Sequence, residues 1–139
     1  MRLDLYQIET AHMAAQHKAL LNQARDILRQ GRPLSPLEQG GVLHALQILI
    51  ENAIGKVKQL LKAAGQPVPI SECDAFLALA NQEHIPHGQL PDWNAIVGLR
   101  NRIVHDYMNI DMDQVTAWVM AEQDAFVCAF LLKDFSDPS

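Results

Sequence analysis

Apolar side chains recur at helical spacing along nearly the whole chain, and that pattern constrains the fold more than any other feature. Near the N-terminus Tyr6, Met13, Leu20 and Ile27 return at seven-residue intervals, with Thr10, His17 and Ala24 at the alternate seam positions. A second series runs through Leu43, Leu46, Ile50, Ile54, Val57 and Leu61. No segment shows the sustained period-two alternation of half-buried strands, so the spacing predicts an all-α fold.

Helix punctuation divides the pattern into five segments. The first ends near Gly31-Arg32-Pro33. The second opens with "SPLE", where Ser35 is the N-cap, Pro36 the first helical residue and Glu38 the other half of a capping box. It stops at Gly65. Gly40 and Gly41 weaken its first turns by about 1 kcal/mol each relative to Ala, or their small size allows a close helix crossing. "SECDAFLALANQ" forms a short third helix capped by Ser71, with Asp74 three residues on. "EHIPHGQLPD" (83–92) reads as a loop. A fourth helix is expected from about Asp92 to Tyr107. The fifth opens with Asp111 and Gln114 as a possible capping box. It continues through Val115, Trp118, Val119, Phe126, Ala129 and Phe130, with Glu122 a polar break, and the tail "SDPS" is expected to fray. Short connections favour antiparallel up-and-down packing, an all-α bundle of about five helices as a single domain over residues 1–139.

Composition narrows the function classes. Apolar residues make up 49% and charged residues 19%, a globular balance. No apolar run approaches the roughly 20 residues of a membrane-spanning helix. The start "MRLDLYQIETAHM" lacks the uninterrupted apolar region of a signal peptide. Cys73 and Cys128 stand apart and read as reduced, buried thiols of a cytoplasmic protein. The formal net charge of −5 argues against broad electrostatic binding to nucleic acid, while leaving room for a small, local phosphate site.

The fourth helix breaks its own pattern. At about 100° per residue, Trp93, Ile96, Val97, Ile103, Val104 and Tyr107 fall in an apolar arc of roughly 120°. Arg100 lands near the middle of that arc, almost in line with Tyr107. His105 lies about 140° away from Arg100, on the side of Asn94 and Asn101. Arg102 and Asp106 fall on the solvent side as a possible i,i+4 pair. An arginine within an apolar arc needs acceptors for its N–H groups. It either snorkels to an edge, pairs with a carboxylate such as Glu51 of the second helix, or lines a cleft open to an anion. Arginine can hold a phosphodiester, and histidine near neutral pH can move a proton to or from a ribose 2′-hydroxyl or a leaving oxygen. About 7.5 Å of helical rise separates the two residues. One copy's pair therefore does not converge on a single atom, whereas a two-fold dimer could bring the Arg of one chain near the His of the other.

"RNRIVHDY" (100–107) resembles the signature of the HEPN superfamily, R-x4–6-H with a polar residue after the arginine. Arg100, Asn101 and His105 match it, and Tyr107 completes R-x4-H-x-Y, which is similar to the HepT-like branch. The layout of the chain, "LQILIENAIGKV" and "SECDAFLALANQ" fit the same branch. The resemblance implies a toxin of a type VII toxin–antitoxin pair: a metal-independent endoribonuclease, without cofactor, acting on RNA as a homodimer with its sites at the dimer cleft. It implies that Arg100 and His105 are catalytic and that Asn101 supports them. It further implies that Tyr107 is modified with AMP by the antitoxin, an MntA-type nucleotidyltransferase.

Other constellations are weaker. His84 and His87 lie near Glu83, but Pro86 makes a helical ligand pair poor, and a loop near the cleft is the simpler expectation over a metal site. His12, His17 and His44 read as packing or partner-facing residues, and Trp93 and Trp118 as core or interface anchors. No Gly-rich phosphate loop, GxSxG or supported carboxylate pair is present. The alternative to a toxin ribonuclease is a non-catalytic helical subunit that binds a nucleotidyltransferase or a nucleotide.

Overall fold

A computed structural model describes residues 3–135, with side chains from residue 5 onward. The expected fraying of "SDPS" lies outside the described residues. Among them there are six α-helices and no strand: α1 (Leu3–Arg29), α2 (Pro36–Ala63), α3 (Glu72–Asn81), α4 (Leu90–His105), α5 (Met112–Met120) and α6 (Asp124–Leu132). The two longest, α1 and α2, pack against each other across the short link 30–35, and α6 covers both. The α3 and α4 helices pack together and against α2. Among the described residues no single helix is long and apolar enough to cross a membrane.

The caps explain where α2 sits. Ser35 accepts from the Glu38 backbone N–H at 3.2 Å, and the Glu38 carboxylate accepts from the Ser35 N–H at 2.8 Å, closing the expected box. Arg32 clamps the same carboxylate from outside and, with that backbone bond, holds its pKa down to about 2. Gly65 ends the helix in the left-handed region at φ +70°. Added side-chain atoms at Gly40 and Gly41 would meet nothing within 4 Å, so these glycines do not mark a close crossing. The close approach is at Gly55, where a Cβ would stand 3.2 Å from the Tyr6 hydroxyl.

The core differs from the seven-residue series in register. On α1 the buried line is Thr10, Ala14, His17, Leu21 and Ala24, while Leu20 is exposed. The seam positions are therefore the centre of the stripe and the Tyr6–Ile27 series its edge. Aromatic rings weld α3, α4 and α6: Trp93 stacks on Phe76 at 4.5 Å between centroids and meets Phe126 and Phe130 at 4.9 and 5.1 Å. Cys128 is buried, Cys73 is half-buried and both are free.

The expected fifth helix is two. It bends by 58° between α5 and α6, and Glu122 takes φ +57° at the break. Arg25 of α1, which is 1% exposed, spans this corner. Its Nη1 donates to the Val119 carbonyl of α5 at 2.9 Å and to Asp124 Oδ1 of α6 at 2.7 Å; Nη2 donates to Asp124 Oδ2 at 3.1 Å and to Asn22. The polar break at Glu122 is thus a corner spanned from the neighbouring helix.

Candidate active site

Arg100 sits in the buried arc of α4, but the arc is rotated from its sequence position. Trp93, Ile96, Val97, Leu99 and Ile103 are buried, and Val104 is left 39% exposed. The shift toward Leu99 leaves Arg100 at the margin, with 21% of its side chain exposed. Its Nη2 donates to Glu51 Oε2 at 3.1 Å, so the carboxylate singled out on α2 is the partner. Nη1 donates to Asn101 Oδ1 at 3.0 Å, which ties the residue after the arginine to its guanidinium. Glu51 also lies 3.5 Å from the Gln47 amide, a long bond that steadies its other oxygen. Nε is buried and has no hydrogen-bond partner.

A second carboxylate was not legible in the sequence. Glu72 Oε1 stands 4.0 Å from Arg100 Nη1. It occupies the first position of α3, where an acidic residue already suits the helix dipole, and that local role hides the tertiary one. Only the packing of α3 on α4 brings it to the site.

The helix ends earlier than expected. His105 is its last residue, and Asp106 leaves the helical region at φ −139°, ψ 39°. The Asp106 side chain accepts from Asn109 Nδ2 at 2.7 Å, fixing a 3-10 turn over Tyr107–Asn109. Among the described residues Asp106 makes no ion pair with Arg102, because its carboxylate serves that turn instead. Tyr107 therefore does not continue the α4 stripe in line with Arg100; it projects from the turn, 55% exposed. His105 is exposed at the helix end, five residues beyond Arg100. The following turn hands over to α5, where Asp111 accepts from the Asp113 and Gln114 N–H groups at 3.0 and 3.4 Å. The reciprocal bond of a capping box, from Gln114, is not made.

Exposed apolar side chains flank His105 in the chain. Val104, Tyr107 and Met108 are exposed, Met108 to 90%. Ile70, two residues before Glu72, is 99% exposed, and Leu77 of α3 is 43% exposed. A pocket of about 220 Å³ between α4 and α5 is lined by Leu99, Arg102, Asp111 and Trp118. It lies across α4 from Arg100, since Arg102 and Arg100 are about 200° apart around the helix. Arg100, Asn101, His105 and Tyr107 do not line it. His84 packs edge-on against Phe135 at 5.6 Å, and His87 Nε2 lies 2.9 Å from Asn81 Oδ1, so the two loop histidines engage different neighbours. His17 Nδ1 meets the Met13 carbonyl at 2.8 Å, a packing role.

Chemically, the arrangement offers one partly exposed arginine and one exposed imidazole at the helix end. The first suits a phosphodiester oxygen, the second a proton.

The profile of the family described as Ribonuclease HepT-like matches residues 13–127, from the first helix into the last and across the whole motif. One chain of a crystal structure of a toxin–antitoxin with AMP-PNP shares the fold. The TM-score is 0.75 over 91% of this chain and 97% of that one, at 21% identity. No curated protein sequence matches the chain. The motif, the helical bundle and a profile match over most of the length agree: the chain belongs to the HepT-like ribonuclease family.

Proposed function

We propose that the protein is the toxin of a toxin–antitoxin pair, an endoribonuclease that cuts RNA without a metal ion at a site shared between two copies of the chain. The observation that carries this reading is Arg100, set at the open margin of α4 by Glu51 and Asn101, with His105 exposed at the end of the same helix. Arg100 holds a non-bridging phosphate oxygen and offsets the charge that builds on it. His105 takes the proton from the attacking oxygen or gives one to the leaving oxygen. Within one protomer the two groups are about 7.5 Å apart along the axis and on different bearings. A two-fold axis at this end of the bundle brings the Arg100 of one copy toward the His105 of the other. The exposed Val104, Tyr107 and Met108 side chains next to His105 in the chain supply apolar surface for such an interface.

Tyr107 is the control point in this proposal. A partner nucleotidyltransferase of the MntA type transfers AMP from ATP to its phenolic oxygen. The new Oη–P bond forms at the α-phosphorus, pyrophosphate leaves and the phenolic proton is lost. The added phosphate and bulk stand two residues from His105 and oppose RNA on charge and space. That Tyr107 is more than half exposed, on a turn clear of the core, favours access by an enzyme.

The test is cleavage of RNA by the purified chain in the presence of chelator. Arg100→Ala and His105→Ala are each expected to lower the rate by about 10²–10⁴-fold while leaving the helical content intact. Variants that cut as fast as the wild type would contradict the reading and leave a non-catalytic partner of a nucleotidyltransferase. For Tyr107, mass increments of AMP after co-expression with an MntA-type nucleotidyltransferase are expected in wild type and lost in Tyr107→Phe.

A further inference from the structure

The guanidinium that the ribonuclease reading assigns to a phosphodiester is already supplied with anions by its own chain. Glu51 of α2 accepts from Nη2 at 3.1 Å, and Glu72 of α3 lies 4.0 Å from Nη1. Nε is buried without a partner, so the edge that carries it is closed. A ligand reaches Arg100 through its two terminal amino groups, where both glutamates stand. The three side chains remain 21%, 32% and 30% exposed, so this is an accessible cluster and not a sealed internal ion pair. One cation against two carboxylates leaves a net single negative charge, the wrong sign for RNA. Nor does α4 need this cluster as an anchor, because Trp93 already locks it to Phe76 and Phe130.

We infer that Glu51 is a positioning residue for Arg100, and that Glu51 with Glu72 forms an anionic stand-in which the RNA phosphate displaces from the terminal amino groups. The inference rests on the ribonuclease reading and adds to it a cost on substrate binding built into the free protein. Two properties of Glu51 then separate. Its acceptor oxygen orients the guanidinium; its charge competes with the phosphate. Glu51→Gln keeps an acceptor and removes the charge. Glu51→Ala removes both. Glu72→Gln removes a more distant charge that makes no hydrogen bond.

Steady-state cleavage of a short oligoribonucleotide by the full chain reads the difference. For Glu51→Gln, kcat/KM is expected to rise about five-fold, carried by a fall in KM; for Glu72→Gln the rise is about two-fold. For Glu51→Ala, kcat is expected to fall by about ten-fold or more as the arginine loses its orientation. A KM that stays the same or rises in Glu51→Gln overturns the inference, as does an unaltered kcat in Glu51→Ala. A second arm does not depend on cleavage. Inorganic phosphate is titrated at constant ionic strength into ¹⁵N-labelled protein while the Arg100 Nε–H resonance, assigned by its loss in Arg100→Lys, is followed. Phosphate is expected to perturb it at several-fold lower concentration in Glu51→Gln than in wild type. Equal responses overturn displacement and leave the ribonuclease reading standing. A wild type that cuts no RNA but shows the tighter phosphate response in Glu51→Gln removes the ribonuclease reading and sustains the displacement.

Discussion

Two arginines of this chain each lie against a carboxylate from another helix, and they are built differently. Arg25 is 1% exposed; both terminal nitrogens serve Asp124, and they also reach Val119 and Asn22. Arg100 is partly open, makes one bond to Glu51 and one to Asn101, and leaves a buried Nε unserved. A buried ion pair with its donors engaged holds elements together and has no capacity for a ligand. A partly exposed arginine with one bond from each terminal nitrogen adds little to stability but retains donors for an incoming anion. The difference separates a structural corner from a candidate site more sharply than residue type does.

On the Arg100 side the comparison breaks in activity and not in stability. Arg100→Lys keeps the charge and loses the planar fork, and cleavage is expected to fall by about 10–100-fold with little change in melting temperature. Next, Asp124→Ala strands a buried guanidinium and is expected to cost about 3–5 kcal/mol in denaturant unfolding. Replacing both partners, Arg25→Met with Asp124→Leu, is expected to recover most of that loss, since neither buried charge remains. A double variant as unstable as Asp124→Ala would show that the corner needs the ion pair itself. By contrast Glu51→Ala is expected to alter stability by no more than about 1 kcal/mol, because its pair with Arg100 is solvated.

The smallest effect concerns a second buried cation, Lys56, whose ammonium donates to the carbonyls of Phe130 and Leu131 at 2.8 and 3.1 Å and to that of Lys133. Burial lowers its pKa to about 8, against a rise from Asp134 and a further lowering from Lys133. With the folded pKa below the unfolded one, the folded chain holds fewer protons between pH 8 and about 10.4. The group's contribution is present above that window and is lost as pH falls through 8. Stability followed across the window is expected to slope upward in wild type relative to Lys56→Met. Parallel curves would assign the slope to other groups.

Much of this was legible where the physics is local. The Ser35–Glu38 box, the stop at Gly65 and the helical class all follow from residues within one or two turns of each other. The Arg100–Glu51 contact was visible too, because a cation in an apolar arc demands an acceptor and α2 offered one. Features that depend on a third element were not. Glu122 reads only as a polar break in one helix, because the side chain that spans the corner, Arg25, is far away in sequence. Glu72 looks like an ordinary helix-start residue until α3 packs on α4. The end of α4 at His105 was missed for a related reason: no Gly or Pro marks it, and Asp106 leaves the helix to hold Asn109. That early end moved Tyr107 off the stripe and out onto a turn.

The central claim is that each protomer carries half of a site, with Arg100 completed by the His105 of a second copy. The direct measurement mixes Arg100→Ala and His105→Ala chains, each inactive alone, after unfolding and refolding them together in equal amounts. Random pairing makes half of the dimers mixed, and each mixed dimer holds one site with both residues intact. The shared-site account predicts recovery of about one quarter of wild-type cleavage. A mixture as inactive as its components would contradict it.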